Sequence, residues 1–253
     1  TKQEFEMSAE ERLIFDAEKL LGMHEVTCRA FNEKLRIYCD RHGTIDSLIK
    51  SLENAGMPQM YYSENSHLLN YAKKHCTDSS GKINTLNFLM LAIVLCNDPV
   101  KDKVEIMFMM ADEDTGGTIS TDEFPTSLNA ILDHAMTFLP SFACEIYPEA
   151  KESIMALAMK CSRVKRGLSQ YFANIVMRDY QEINDREFLN SFKNPRACVL
   201  LSSSAIRNYA IKTFDRRSDF DKQVGMLRVV AKERRKKGTP LAQTQETENL
   251  EEA

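Results

Sequence analysis

The side chains best suited to chemistry in this chain are the oxygen-bearing ones that recur through residues 112–123. Asp112 and Asp114 supply carboxylates at the first and third positions of this stretch, and Glu123 supplies one at the last. Gly117 stands where a sharp turn needs a positive φ, which glycine adopts without strain. Hard cations such as calcium take six to eight oxygens, and this spacing is typical of a loop that wraps one calcium ion. The stretch therefore predicts a calcium site.

The remaining ligand positions of the loop are filled less completely. Thr118 would give its backbone carbonyl, Ser120 would act through water, and Gly116 has no side-chain oxygen, so a water must substitute there. The predicted metal-site residues are Asp112, Asp114, Gly116, Thr118, Ser120 and Glu123. Because ligand charge tunes affinity, three carboxylates predict a micromolar or weaker calcium site, at which Mg²⁺ competes. The plain alternative is a polar turn between two helices.

Two amphipathic helices are expected to hold this loop, since apolar residues recur on both sides of it with helical spacing. The incoming set is Val104, Met107, Phe108 and Ala111, and the outgoing set is Phe124, Leu128, Ile131 and Leu132. The same pattern of helix, polar turn and helix recurs along the chain. Aligned on isoleucine, the four candidate loops centre on Ile45, Ile83, Ile119 and Ile183. The repetition predicts four helix-loop-helix units.

The other three loops lack a full set of calcium ligands. The second places Cys76, a soft ligand, first and Asn87 last, where a bidentate carboxylate is needed. The first has Arg41 and His42 at ligand positions. In the fourth, Glu187 falls at the final position, but no acid stands at the start of the loop. These three loops are expected to keep the helical architecture without the metal.

Composition places the chain among helical proteins without an obvious nucleic-acid partner. Glycine and proline are few, at 9 and 7 residues, and helix formers are plentiful, which predicts an all-α fold. The net charge of -4 argues against bulk attraction to nucleic acid. The seven cysteines are scattered without a CxxC pair, which indicates buried thiols rather than a disulfide framework or a zinc site. The longest apolar run, 88–96, is too short for a transmembrane segment and predicts a buried helix.

The chain divides on these patterns into five predicted parts. They are an N-terminal helix (1–25), a degenerate helix-loop-helix pair (26–100), a second pair (101–196) with a helical insert at about 137–162, a basic C-terminal helix (197–238) and a disordered tail (239–253). The basic cluster at 228–237 favours an acidic protein partner, while the plain alternative is a solvated helix end. An apolar stripe that runs into the cluster is either a docking seam or part of the core; its residues are Phe220, Val224, Leu227 and Ala231.

With these motifs in view, the chain resembles the EF-hand superfamily, specifically its four-hand group similar to calmodulin, neuronal calcium sensors and calaxin-type ciliary proteins. The resemblance covers roughly 26–194 and is specific at 103–132. It implies paired EF-hands, to which this chain adds a C-terminal helix. The scattered cysteines favour a cytoplasmic protein, and a cytoskeletal or ciliary assembly is the location expected of a structural adaptor. The long insert, the three incomplete loops and the basic helix depart from the pattern of that group.

Two functions follow from this reading. The first is a calcium sensor or regulatory subunit, in which calcium at loop 112–123 would change the angle of the flanking helices and alter a groove lined by Met107, Met109 and Met110. Its protein partner would present an acidic surface or an amphipathic helix. The second is a structural adaptor in which the helical units clamp a partner and calcium is secondary. No GxSxG, HExxH or Walker motif occurs, so an enzyme is not expected.

Overall fold

The chain folds into an all-α body in the computed structural model, which describes residues 7–39, 41–178 and 180–216. The helices, in order, are α1 (Ala9–Lys19), α2 (Cys28–Tyr38), α3 (Ile45–Asn54), α4 (His67–His75), α5 (Thr85–Leu95), α6 (Val100–Ala111), α7 (Phe124–Asp133), α8 (Leu139–Ile146), α9 (Lys151–Met177), α10 (Asp185–Ser191) and α11 (203–216). The all-α prediction is confirmed. The basic cluster, the apolar stripe and the tail predicted beyond residue 216 lie outside the described residues.

Capping side chains set where the first five helices begin. In each case a side-chain oxygen of the preceding residue accepts a hydrogen bond from a backbone N–H of the first turn, which no helical carbonyl can satisfy. The capping residues are Ser8, Thr27, Thr44, Ser66 and Asn84. All five are short polar residues of the types that favour this position, so these helix starts are encoded locally.

Two small antiparallel sheets join the turns between helices. Strand β1 (His42–Gly43) pairs with β2 (Ile83–Asn84), and β3 (Thr118–Ser120) pairs with β4 (Glu182–Asn184). Ile119 faces Ile183, as the isoleucine alignment predicts.

In the first sheet the isoleucine alignment is wrong. Gly43, and not Ile45, lies opposite Ile83, so the alignment is two residues out of register. The physical reason is the cap at Thr44, which makes Ile45 the first residue of α3 rather than a strand residue.

Helix α5 lies at the centre of the core. Its residues from Phe88 to Val94 are all buried, and a helix that is apolar on every side is one enclosed by its neighbours. It packs against α2, α6 and α7. The buried helix predicted at 88–96 is therefore confirmed. None of the described helices combines the length and hydrophobicity that crossing a bilayer requires.

The insert between the third and fourth strands, β3 and β4, is helical over most of its length. A π-helical segment, His134–Phe138, links α7 to α8, and α9 follows after one short 3₁₀ turn. The helix predicted to stop near Cys161 continues to Met177, because the apolar positions along α9 stay buried over its whole length. α8 and α9 pack against α1, so the insert forms part of the body.

A buried ion cluster ties the two ends of the body together. Arg207 of α11 is fully buried and donates to both oxygens of Glu11, from Nε at 2.8 Å and Nη2 at 2.6 Å. Its Nη1 donates to Glu18 at 2.8 Å and to the carbonyl of Ala135 at 3.0 Å. Burial raises the pKa of Glu11 in spite of the guanidinium beside it. Local sequence patterns do not predict this cluster, since its partners are far apart in the chain.

A second buried polar group lies at the start of the π-helical segment. His134 Nε2 is 2.8 Å from the carbonyl of Asn87, which can only accept, so Nε2 carries the proton. Nδ1 must then accept from the hydroxyl of Tyr71 at 2.9 Å. Burial lowers the pKa of His134 to about 3, so the ring is neutral in the folded protein.

Candidate metal centre

The loop at 112–123 lies between α6 and α7 and is shaped by both. Helix α6 ends at Ala111, and Asp112 is its C-cap residue. Carboxylate oxygens of Asp112, Asp114 and Glu123 all lie within 4.8 Å of one another. Calcium binds oxygens at about 2.3–2.6 Å, so ligands on opposite sides of one ion stand about 5 Å apart. The three predicted carboxylates therefore converge at the scale of one cation.

The first half of the loop is held by its own backbone. The N–H of Gly116 donates to Asp112 Oδ1 at 2.9 Å and to Asp114 Oδ1 at 2.8 Å. The N–H of Gly117 donates to Asp112 Oδ2 at 3.0 Å. Positive φ values at Gly117 (81°) and Thr115 (58°) make the turn that aims these N–H groups inward. The two aspartates are thus oriented before any ion arrives.

Glu123 is oriented from the other side of the loop by Ser120. Its Oε2 accepts from the N–H of Ser120 at 2.8 Å and from the hydroxyl at 2.7 Å, and its own N–H donates back to that hydroxyl. The backbone N–H of Ser120, followed by its hydroxyl, lowers the pKa of Glu123. Glu123 is therefore a carboxylate at neutral pH, which is the form a cation needs.

The other predicted site residues take less direct positions. Gly116 contributes only backbone, as expected from its missing side chain. The hydroxyl of Thr118 donates to Glu182 of the neighbouring strand at 3.2 Å, which leaves its backbone carbonyl as the group for metal binding. Ser120 is engaged with Glu123. The structure thus brings together three carboxylates of the six predicted residues and surrounds them with the loop's own hydrogen bonds.

An apolar layer beneath the loop fixes its two ends relative to each other. Ile119 and Ile183 are buried and lie opposite each other in the β3–β4 pair. The ring of Phe188 packs edge-on against Phe108 at 5.6 Å and against Phe124 at 5.7 Å. Since Phe108 is on α6 and Phe124 on α7, Phe188 of α10 contacts both helices that flank the loop.

In the second loop, the single aspartate, Asp78, receives hydrogen bonds from its own loop and lies close to a histidine of the first loop. Asp78 Oδ1 accepts from the N–H and hydroxyl of Ser80, at 2.8 and 2.6 Å, and from the N–H of Lys82 at 3.1 Å. Its Oδ2 lies 3.0 Å from Nδ1 of His42. Cys76 is buried, and burial raises the pKa of its thiol, so it offers neither the negative charge nor the oxygen that calcium needs at the first position. Hydrogen bonds here perform the folding role that a metal would otherwise have.

The fourth loop uses its final acid for a different purpose. Glu187 accepts from the N–H of Asn184 at 3.1 Å, and Asn184 caps the first turn of α10 in return. This reciprocal capping box stabilises the helix start. Asp40 of the first loop and Asp179 of the fourth lie outside the described residues.

A groove borders the candidate metal loop. It has a volume of about 470 Å³ and is lined by Met109, Met110, Arg36 and Arg41 together with Asp112. The guanidinium of Arg41 donates to the backbone carbonyl of Glu113, inside the loop. Sequence reasoning missed this bond between the first and third loops, which are far apart in the chain. Met107, which sequence reasoning assigned to a methionine groove, lies in the core instead.

The chain was compared with protein-family models and with curated proteins. No protein-family model matches the chain, and no curated protein matches its sequence.

Proposed function

We propose that the chain is an EF-hand protein that binds one calcium ion at residues 112–123 and acts as a calcium sensor or regulatory subunit. The observation that carries the proposal is the convergence of Asp112, Asp114 and Glu123 to within 4.8 Å in a loop between two helices. The antiparallel link to a neighbouring loop through Ile119 and Ile183 supports it further. In this proposal Thr118 offers its carbonyl, and water takes the places at Gly116 and Ser120.

A calcium ion at this loop would be held by Asp112, Asp114 and Glu123, and would supply the positive charge that lets the three carboxylates approach one another. Glu123 immediately precedes α7, so a movement of its carboxylate toward the aspartates carries the start of that helix with it. The Phe108, Phe124 and Phe188 packing then relays the movement to α6 and α10. Rotation of the helices beside such a loop is the general means by which EF-hand sensors expose a groove.

The partner that fits this groove is an amphipathic helix with an acidic face. Met109 and Met110 offer adaptable apolar contacts, and Met109 is exposed. Arg36 and Arg41 supply the complementary charge. We place the protein in the cytoplasm because its scattered cysteines favour that compartment, and a cytoskeletal or ciliary assembly is the location expected of a structural adaptor.

Calorimetry on the full chain tests the proposal. Calcium titrated into the metal-free parent should give one binding event, weakened at least about tenfold in Glu123→Gln, because the bidentate ligand is lost. Glu113→Gln removes the same charge at an exposed position of the same loop and should bind as the parent does. Tyrosine fluorescence and near-ultraviolet circular dichroism follow the accompanying rearrangement. A parent that gives no heat at millimolar calcium refutes the proposal.

The second candidate function is a structural adaptor of a cytoskeletal or ciliary assembly, with calcium secondary. The observation that favours it is the metal-independent closure of the second loop around Asp78. The helical insert also packs against α1, which enlarges the fixed part of the body. An adaptor captures its partner equally well with calcium and with chelator, whereas a sensor does so only in one of the two conditions.

A further inference from the structure

A second group of metal-ligating side chains lies away from the calcium loop, where three parts of the chain meet. Cys28 is the first residue of α2, Cys96 follows the end of α5, and Asp98 precedes α6. The two sulfurs and a carboxylate oxygen of Asp98 all lie within 4.8 Å of one another. Both cysteines are buried and Asp98 is half-buried, so the cluster meets solvent on the Asp98 side.

The donors are already oriented by the backbone around them. The N–H of Cys28 donates to Asp98 Oδ2 at 2.7 Å, which fixes the carboxylate against the start of α2. The thiol of Cys28 donates to the carbonyl of Ala92 on α5 at 3.3 Å. The bond from the Cys28 N–H holds the Asp98 carboxylate in place from behind, which is a regular feature of protein metal sites. The bond from the thiol to Ala92 is given up when the thiol proton leaves.

The charge of the surroundings suits a divalent ion bound by two thiolates. Lys103 is only 7% exposed, and its ammonium donates to the carbonyl of Leu201 at 2.9 Å. Burial lowers the pKa of this ammonium, and the Cys28, Cys96 and Asp98 side chains act electrostatically in the opposite direction. The formal charges of two thiolates, one carboxylate, one ammonium and a divalent ion sum to zero. A buried cluster whose charges cancel avoids the large cost of an uncompensated charge.

We propose that Cys28, Cys96 and Asp98 bind a thiophilic divalent cation of the zinc class. Each cysteine loses its thiol proton to solvent and forms a sulfur–metal bond, and no electron is transferred. Asp98 gives the third ligand and a water completes the tetrahedral set that zinc prefers. The ion would hold the start of α2 against the linker between α5 and α6. The proposal does not depend on calcium binding at 112–123.

Cobalt spectroscopy on the reduced, metal-free full chain tests the site. Co²⁺ added in the presence of saturating calcium should give a thiolate-to-cobalt charge-transfer band and the visible bands of a tetrahedral ion. Zinc should abolish both by displacement. Oxygen ligands give no such charge-transfer band, so cobalt at 112–123 cannot imitate the result. One equivalent of cobalt per chain is expected.

Variants of the cluster assign the ligands. Cys28→Ser and Cys96→Ser should weaken cobalt binding at least about tenfold, since even supporting groups of a metal site are worth that much. Asp98→Asn keeps both thiols and should weaken binding while retaining the charge-transfer band. Cys144→Ser removes a buried thiol elsewhere and should bind as the parent does.

Three outcomes overturn the proposal. The first is a folded parent with no charge-transfer band, and the second is an unchanged band in both serine variants. The third is a Cys28–Cys96 disulfide in the protein as isolated from cells, found by mass spectrometry of alkylated peptides. Far-ultraviolet circular dichroism establishes that each variant is folded. If a serine variant does not fold, Asp98→Asn decides the question.

Discussion

Replacing Arg207 by methionine should destabilise the protein more than any exposed substitution, because it leaves two carboxylates buried without a partner. The guanidinium makes four hydrogen bonds, three of them to Glu11 and Glu18. Methionine keeps much of the volume of the side chain, so the loss is mainly electrostatic. Removing one member of a buried ion cluster costs about 3–5 kcal/mol. In a chain of this size each kcal/mol shifts the melting temperature by about 2–4 °C. The expected fall is therefore about 6–20 °C.

Urea and thermal unfolding followed by circular dichroism measure this loss. Arg166→Met removes an exposed arginine from α9 and should change stability by less than about 0.5 kcal/mol, as surface substitutions usually do. Adding Glu11→Leu and Glu18→Leu to Arg207→Met should recover most of the stability, since no charge is then left buried. The loss in Arg207→Met should also shrink as the pH is lowered and Glu11 takes up a proton. If Arg207→Met loses less than about 1 kcal/mol, the cluster does not hold the two ends of the body together.

Two further predictions concern pH and calcium affinity. His134 has a pKa of about 3 in the folded state because of its burial, against about 6.5 in an unfolded chain. The unfolded state alone gains this proton as the pH falls below about 6.5, so stability should fall by up to about 1.4 kcal/mol per pH unit down to about pH 3. Urea unfolding across this range should show a shallower slope in His134→Gln, and equal slopes would contradict the assignment. Gly116→Asp should tighten calcium binding about tenfold in calorimetry, because it adds a fourth carboxylate. A Cβ added at Gly116 would lie 2.8 Å from Asp114 Oδ1, so the Asp114 carboxylate must shift slightly in any variant at this position. Gly116→Ala is the matched control, and an equal gain there would refute the ligand argument.

Features encoded within a few residues were predictable from the sequence. The helices on either side of 112–123, the buried run at 88–96 and the Ile119–Ile183 register each follow from short patterns of polar and apolar residues. The pairing of Gly43 with Ile83 was not predictable from the isoleucine repeat, because Thr44 caps α3 and so makes Ile45 the first residue of that helix. The helix cap at Thr44 therefore ends the strand at Gly43 and sets its pairing.

Contacts between distant residues were beyond the reach of the same patterns. Cys28 and Cys96 carry no motif spacing, and they meet only because α2 packs against α5. The bond from Arg41 to the carbonyl of Glu113 likewise depends on how the first two units sit against the third. Sequence periodicity identifies which face of a helix is buried, but it does not identify the helix that covers that face.

The Arg207 cluster also sets when the protein can finish folding during synthesis. Arg207 and Glu11 are 196 residues apart, so their ion pair cannot form until all of the chain between them has been synthesised. At about 5–20 residues per second, Glu11 waits roughly 10–40 s after its own synthesis for its partner. Throughout that interval α1 has two acids on its inward face and no cation to neutralise them. A nascent chain arrested before residue 207 should therefore keep α1 accessible to protease, and release of the full chain should protect it.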